Sequence, residues 1–174
     1  MRKLTNTEKR NIVTEKLDFL GINYKLYEHK AVYTMEEAAK EEEMLDLPEN
    51  GVVVKNLFLK EHNSEKYVLV VTTGDKNADI KSLRRWLGTK PLSFAAEEDL
   101  EETLGVSRGA VSPLAVINDT QGVVSLIIDD ALKDKEDILL GVHPNENTST
   151  LFITYKELEK YAESCNHRLI NMQV

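Results

Sequence analysis

Two runs of β-branched and aromatic residues, Val52 to Lys60 and Tyr67 to Thr73, stand either side of a polar segment, Glu61 to Lys66, that holds Asn63 and Ser64. Such residues suit a pleated, buried surface. The turn signal Pro48 to Gly51 precedes the first run and Gly74 ends the second, so the two read as an antiparallel hairpin. Within the first run, Lys55 interrupts apolar neighbours on both sides. Desolvating an ammonium is costly, so two readings stand. Either Lys55 reaches solvent from an edge strand, or it lines a cleft and meets an anion such as a phosphate or a carboxylate.

The other elements gather around this hairpin. Thr5 and Glu8 have capping-box spacing and open a helix whose apolar side carries Ile12, Val13, Leu17, Phe19 and Leu20 before Gly21 stops it. Ile22 to Tyr27 reads as a strand, and Thr34 to Glu37 as a second capping box opening a short helix through Ala39. The acidic run Glu41 to Glu43 reads as a solvated face or loop. Ile80 to Leu87 and Glu97 to Leu104 read as helices closed by Gly88 and Gly105, with a short strand from Leu92 to Ala95 between them. Ala115 to Ile117 and Val123 to Ile128 are expected to be strands joined by a hairpin turn across Asn118 to Gly122. Further strands are expected at Ile138 to Val142 and Thr150 to Ile153. A third capping box, Thr154 to Glu157, opens the last helix, and the tail from His167 adds a final strand. Short strands with helices between them predict an α+β fold with a mixed, largely antiparallel sheet, in one domain over residues 1–174.

Composition narrows the function classes. The chain is 41% hydrophobic and 30% charged, which is globular, and no apolar run approaches a membrane span. The first residues carry no apolar segment of a secretory signal, and the single cysteine, Cys165, excludes an internal disulfide. A cytoplasmic protein is expected, with Cys165 a structural thiol. The net charge of −8 argues against a protein that coats nucleic acid. A local basic patch remains, formed by Lys76, Lys81, Arg84, Arg85 and Lys90, opposed by Asp75 and Asp79. Lys81, Arg84 and Arg85 share one helix face, which is either an ordinary solvated face or an RNA contact.

Nucleotide-binding glycine motifs, the nucleophile elbow and the HExxH zinc motif are absent, and four scattered histidines lack metal-ligand spacing. No cofactor and no metal are expected. What remains is a lysine on an apolar strand, the glycine-bearing segment Gly105 to Pro113, and His143-Pro144 followed by Asn145, Asn147 and Thr148. Backbone donors, one cation and a few polar groups suit the binding of a phosphate-bearing ester and the orienting of water.

In order, Lys55 to Lys60, Leu92 to Ala95, Gly105-Val106, Gly109 to Pro113, Ile117 to Asp119 and His143 to Thr150 resemble the YbaK/prolyl-tRNA editing domain family in its freestanding ProX/PrdX-type form. The resemblance runs from about Gly21 to the C-terminus. It implies a curved, barrel-like mixed sheet flanked by helices, and hydrolysis of the ester on mischarged tRNA(Pro), carrying alanine or, in the YbaK branch, cysteine. A catalytically inert RNA- or aminoacyl-binding module is the reading from another class. The implied partners are the mischarged tRNA(Pro) and prolyl-tRNA synthetase, with no membrane. By the same resemblance Lys55 meets the phosphate or ribose of the terminal adenosine, Gly109 belongs to a loop whose N–H groups approach the ester, and His143 borders the aminoacyl pocket as wall or general base. Asn56, Val106, Ser107, Arg108, Ser112, Asn145, Asn147 and Thr148 are the implied substrate contacts, and the basic helix face of Lys81, Arg84 and Arg85 is expected to hold the tRNA. Arg108 departs from the proline that members often carry before the second glycine, which loosens the loop and adds a charge.

Overall fold

A computed structural model describes residues 2–133, Lys135 and residues 137–174. The first helix, α1 (Asn6–Phe19), the second, α2 (Met35–Met44), and the last, α5 (Tyr155–Ser164), each start at a complete capping box on Thr5, Thr34 and Thr154. The helix α2 continues through the acidic run, and Glu41 and Glu42 turn toward the cavity that holds His29. Strand β1 is Lys25–Glu28, later than Ile22, whose side chain is instead buried under α1. The hairpin is β2 (Gly51–Glu61) with β3 (Tyr67–Thr73), in the register Lys55↔Thr72 and Lys60↔Tyr67. Helix α3 (Ile80–Leu87) is capped by Asp79 and ends at Gly88 with φ +64°. Strand β4 (Leu92–Phe94) and helix α4 (Glu97–Leu104) follow, then strands β5 (Val124–Asp129), β6 (Leu139–Val142), β7 (Ser149–Ile153) and β8 (Leu169–Met172).

The sheet runs β1-β7-β6-β2-β3-β5-β8, with β4 also on β2. Four pairings are antiparallel and three, β2/β6, β3/β5 and β5/β8, are parallel. The sheet is mixed as expected but does not close into a barrel: β1 and β8 are its two ends among the described residues. Both faces are covered instead. Leu69 and Val71 of β3 point into a layer with α1, α4 and α5, while Val68 and Val70 point into a smaller layer under Leu83 of α3. Period-two alternation thus splits one strand between two cores. Among the described residues no helix is long and apolar enough to cross a membrane.

One expected strand is absent. Ala115 to Ile117 lies in a 3₁₀ segment, Pro113–Asn118, capped by Ser112. Proline at its first position supplies helical φ, and Leu114, Ala115 and Val116 are buried against α5, where Tyr161 donates to the Leu114 carbonyl at 2.9 Å. The Asn118 to Gly122 turn therefore leads into β5, which pairs parallel to β3 and forms no hairpin with this segment.

Candidate active site

The hairpin's first strand has an unusual edge. Along one side β2 pairs with β6 through Gly51, Val52 and Val53, and with β4 through Leu59, Lys60 and Glu61. Val54 to Leu57 therefore face a fork with no strand partner on that side among the described residues. Lys55 and Asn56 sit in this fork. Alternation sends them to opposite faces, Asn56 with Val54 and Phe58, and Lys55 with Val53 and Leu57.

A hollow adjoins each side of the fork. The first is a small cavity of about 50 Å³, walled by His29, His143, Thr150, Val53 and residues of α2. Val53 pairs with Gly141; Lys55 lies two residues further along β2, and His143 two residues past Gly141, just beyond the end of β6. His143 Nδ1 lies 2.8 Å from the Ser149 carbonyl and donates to it in the neutral tautomer. Burial pushes its pKa below the usual histidine value, with the neighbouring His29 acting the same way, while the Ser149 bond and Glu146 pull the other way. The ring is thus held neutral at physiological pH, and Nε2 keeps its lone pair and has no partner among the described residues. His29 lies 6.0 Å from His143, centre to centre, with Nε2 2.9 Å from the Thr150 hydroxyl and Nδ1 2.8 Å from the Lys30 carbonyl.

The second hollow, about 360 Å³, is lined by Asn56, Phe58, Phe94, Leu100, Arg108 and Val111 among others. Asn56 Oδ1 is buried with no partner among the described residues. Such an acceptor is costly to leave unmade, so it marks a place where a donor belongs.

Two loops border the fork. In the His143 to Thr148 loop, buried Glu146 accepts from Arg10 Nε at 3.1 Å and Thr148 N at 2.6 Å, and from the Thr148 and Ser149 hydroxyls. Asn145 turns there at φ +62°, buried, with Oδ1 unpartnered among the described residues. The other loop carries Gly109, where an added Cβ would lie 3.2 Å from Asn147 Nδ2 and 3.5 Å from the Tyr33 ring. Gly109 and Asn147 are therefore neighbours. Gly109 is not in the positive-φ region. Gly105, at φ +66°, holds that conformation, and close approach is what Gly109 provides.

The other expected contacts are dispersed. Val106 and Ser112 are fully buried, and Ser112 is used up capping Leu114 N–H. Ser107 and Arg108 are exposed, with Arg108 Nε 3.5 Å from Glu97. Thr148 is half-buried and held by Glu146 and Arg10. Lys55 meets no carboxylate among the described residues; its ammonium donates to the Lys76 carbonyl at 3.3 Å.

The sequence model of the family described as the aminoacyl-tRNA editing domain matches residues 29–161. Prolyl-tRNA editing protein ProX of Acetoanaerobium sticklandii is 38% identical over 90% of this chain and 92% of its own. The chain belongs to the aminoacyl-tRNA editing domain family. Prolyl-tRNA synthetase associated domain-containing protein 1 of Danio rerio is 34% identical over 91% of this chain and 83% of its own. A solved structure of a candidate trans-editing enzyme for prolyl tRNA synthetase superposes with a TM-score of 0.69 at 21% identity, covering 95% of this chain and 97% of that one, a likeness of fold.

On this editing domain the basic patch is smaller than its sequence suggests. Lys76 is not free: its ammonium lies 2.8 Å from the buried Asp129 carboxylate. Lys81, Arg84 and Arg85 are exposed on α3, beside Trp86, which is 77% exposed. Sequence reading missed His29, Glu146, Arg10 and Asp129. His29 carried no motif; the others are ion pairs between segments far apart in sequence, which no spacing rule joins.

Proposed function

We propose that this protein is a trans-acting aminoacyl-tRNA deacylase that clears mischarged tRNA(Pro), and that alanine is the amino acid it removes. The observation that carries the reading is the small cavity beside the fork, walled by the imidazoles of His143 and His29, the Thr150 hydroxyl, Glu41 and Glu42 of α2 and apolar residues, next to a half-buried lysine. A hollow of about 50 Å³ has room for roughly three waters. In this reading it admits the small alanyl side chain and excludes the bulkier pyrrolidine ring. Size exclusion of this kind complements a synthetase pocket that cannot strongly refuse a smaller side chain.

In this reading Lys55 meets the phosphate or ribose of the terminal adenosine, and Asn56 Oδ1 accepts from a substrate hydroxyl or ammonium. His143 Nε2 takes the proton of the attacking water. The water oxygen bonds to the ester carbon, the ester C–O bond breaks, and the ribose oxygen leaves with a proton. An aminoacyl ester is already activated, so orientation supplies much of the rate. Gly109 lets the loop backbone approach the ester, and Asn147 lies against it. The basic face of α3 carries the tRNA.

Deacylation of tRNA(Pro) charged with alanine, cysteine or proline tests this. Turnover of the alanyl ester with proline spared is expected. Turnover confined to the cysteinyl ester overturns the alanine assignment, and no turnover of any ester leaves an RNA- or aminoacyl-binding module.

A further inference from the structure

Asp129 has a place in the fold that neither core packing nor the substrate-facing cavities explain. Its side chain is fully buried at the end of β5, yet it accepts from the Thr72 hydroxyl at 2.6 Å, from Lys76 Nζ at 2.8 and 3.0 Å, and from Ala131 N–H at 3.0 Å. Thr72 pairs with Lys55 across the hairpin. The β3/β5 ladder pairs Val71 with Ile128, so Thr72 and Asp129 come next on each strand. Lys55, Thr72 and Asp129 therefore form a polar row across three adjacent strands, on one face of the sheet.

The row returns to Lys55 through the backbone. Lys76 closes a tight turn after β3, its N–H donating to the Thr73 carbonyl at 3.2 Å. Its side chain is pinned to Asp129, and its carbonyl accepts from Lys55 Nζ at 3.3 Å. We propose that Asp129 and Lys76 are positioning residues: the buried carboxylate anchors the turn by the Lys76 ammonium, and the anchored carbonyl fixes where the Lys55 ammonium sits. The proposal rests on the reading that Lys55 contacts substrate.

The physical need is plain. A lysine side chain has four rotatable bonds and considerable rotamer entropy, and a charged contact misplaced by an ångström loses much of its catalytic value. Burial alone pushes the Asp129 pKa up, and the bonds from Lys76, Thr72 and Ala131 more than offset this, so the group stays ionised below the usual carboxylate range. The anchor is therefore charged throughout the physiological range.

A double-mutant cycle on the whole 174-residue chain tests the assignment, with single-turnover deacylation of Ala-tRNA(Pro) and melting temperature measured for each variant. Lys55→Met is expected to lower the rate about 10- to 100-fold. Lys76→Met is expected to lower it about 5- to 10-fold in the native background and less than twofold in the Lys55→Met background, because a device that acts through Lys55 has nothing left to aim. Lys76→Arg keeps the bond to Asp129 and is expected to retain at least half the rate. Asp129→Asn is expected to match Lys76→Met, and if that buried change fails to fold, the half-exposed Lys76 still decides. Equal fold losses for Lys76→Met in both backgrounds overturn the proposal, as does an unchanged rate. A loss in tRNA affinity with a salt slope reduced by about one would make Lys76 a phosphate contact and also overturn it. A native rate for Lys55→Met alone strikes at the underlying reading of Lys55, and that single variant shows it separately.

Discussion

At the scale of single residues, the chemistry turns on how each side chain is held. His143 donates from Nδ1 to a backbone carbonyl, and burial keeps it neutral, so its proton-accepting atom is Nε2. A base is active when unprotonated, so kcat/KM is expected to be flat above neutrality and to fall on the acid side. Because the folded pKa lies below the ordinary value of about 6.5, the midpoint of that fall lies below it too. His143→Asn should remove this limb and lower the rate about 100-fold, the usual contribution of a general base. A profile that keeps the limb in the variant would return His143 to a wall of the pocket. Gly109→Ala needs Asn147 to give by a few tenths of an ångström and incurs no φ penalty. It is expected to shift melting by no more than a few degrees while reducing turnover at least tenfold, checked on one preparation by thermal unfolding and single-turnover kinetics. Lys55, Gly109 and His143 were legible in the sequence as an odd cation, a turn glycine and a His-Pro pair. The unpartnered Asn56 oxygen and the Arg10–Glu146 pair were not, because burial without a partner and long-range pairing exist only after folding.

At the scale of elements, α3 is the piece whose function is most open to test. Its buried side is Leu83, with Ile80 and Leu87 packed around it, so the helix is held from one side only. Lys81 and Arg85 stand opposite, Arg84 flanks them with Nε bonded to the Thr89 carbonyl at 3.3 Å, and Trp86 is the chain's single tryptophan. Replacing Lys81, Arg84 and Arg85 together by glutamine is expected to weaken tRNA binding and to flatten the slope of log affinity against log salt by roughly two to three, since up to three counterions fewer are released. Quenching of Trp86 fluorescence during the titration gives the readout, with melting temperature as a control for folding. An unchanged slope would mean that α3 is merely solvated. Elements with local instructions were legible: three capping boxes and the glycines after α3 and α4 lie where the sequence puts them. The 3₁₀ segment from Pro113 was not, because Ala115, Val116 and Ile117 are apolar enough for a strand, and only packing against α5 decides otherwise. Parallel pairing was also hidden, since β5 reaches β3 and β8 by crossovers whose partners no local pattern names.

At the scale of the whole molecule, the two apolar layers share their strands. Leu126 and Ile128 of β5 enter the larger layer and Ile127 the smaller, just as β3 divides its residues. Neither layer can lose its strands without exposing the other, so residues 1–174 are expected to unfold as one cooperative unit. The tie that secures the far edge is Asp119, which accepts from Val123 N at 3.2 Å, Val124 N at 2.9 Å and His167 Nε2 at 2.8 Å. It joins the turn before β5 to the residue that leads into β8. Burial raises its pKa, and the bonds from His167, Val124 and Val123 lower it further than burial raises it, so the folded value lies below the unfolded one. A depressed carboxylate contributes stability that is present above the unfolded value of about 3.9 and is lost as pH falls through the folded one. Asp119→Ala strips three donors of their acceptor in a buried site, and a loss of about 3 kcal/mol is expected from such a change. The variant's deficit should shrink below pH 4, where the native carboxylate is itself being protonated. Trp86 fluorescence follows the α3 side and far-ultraviolet circular dichroism follows the whole sheet. In urea both should give one midpoint in the native protein, and one lower midpoint with the same m-value in Asp119→Ala. Two separated midpoints would show that the layer under α3 melts on its own, and that the shared strands do not bind the molecule into one unit.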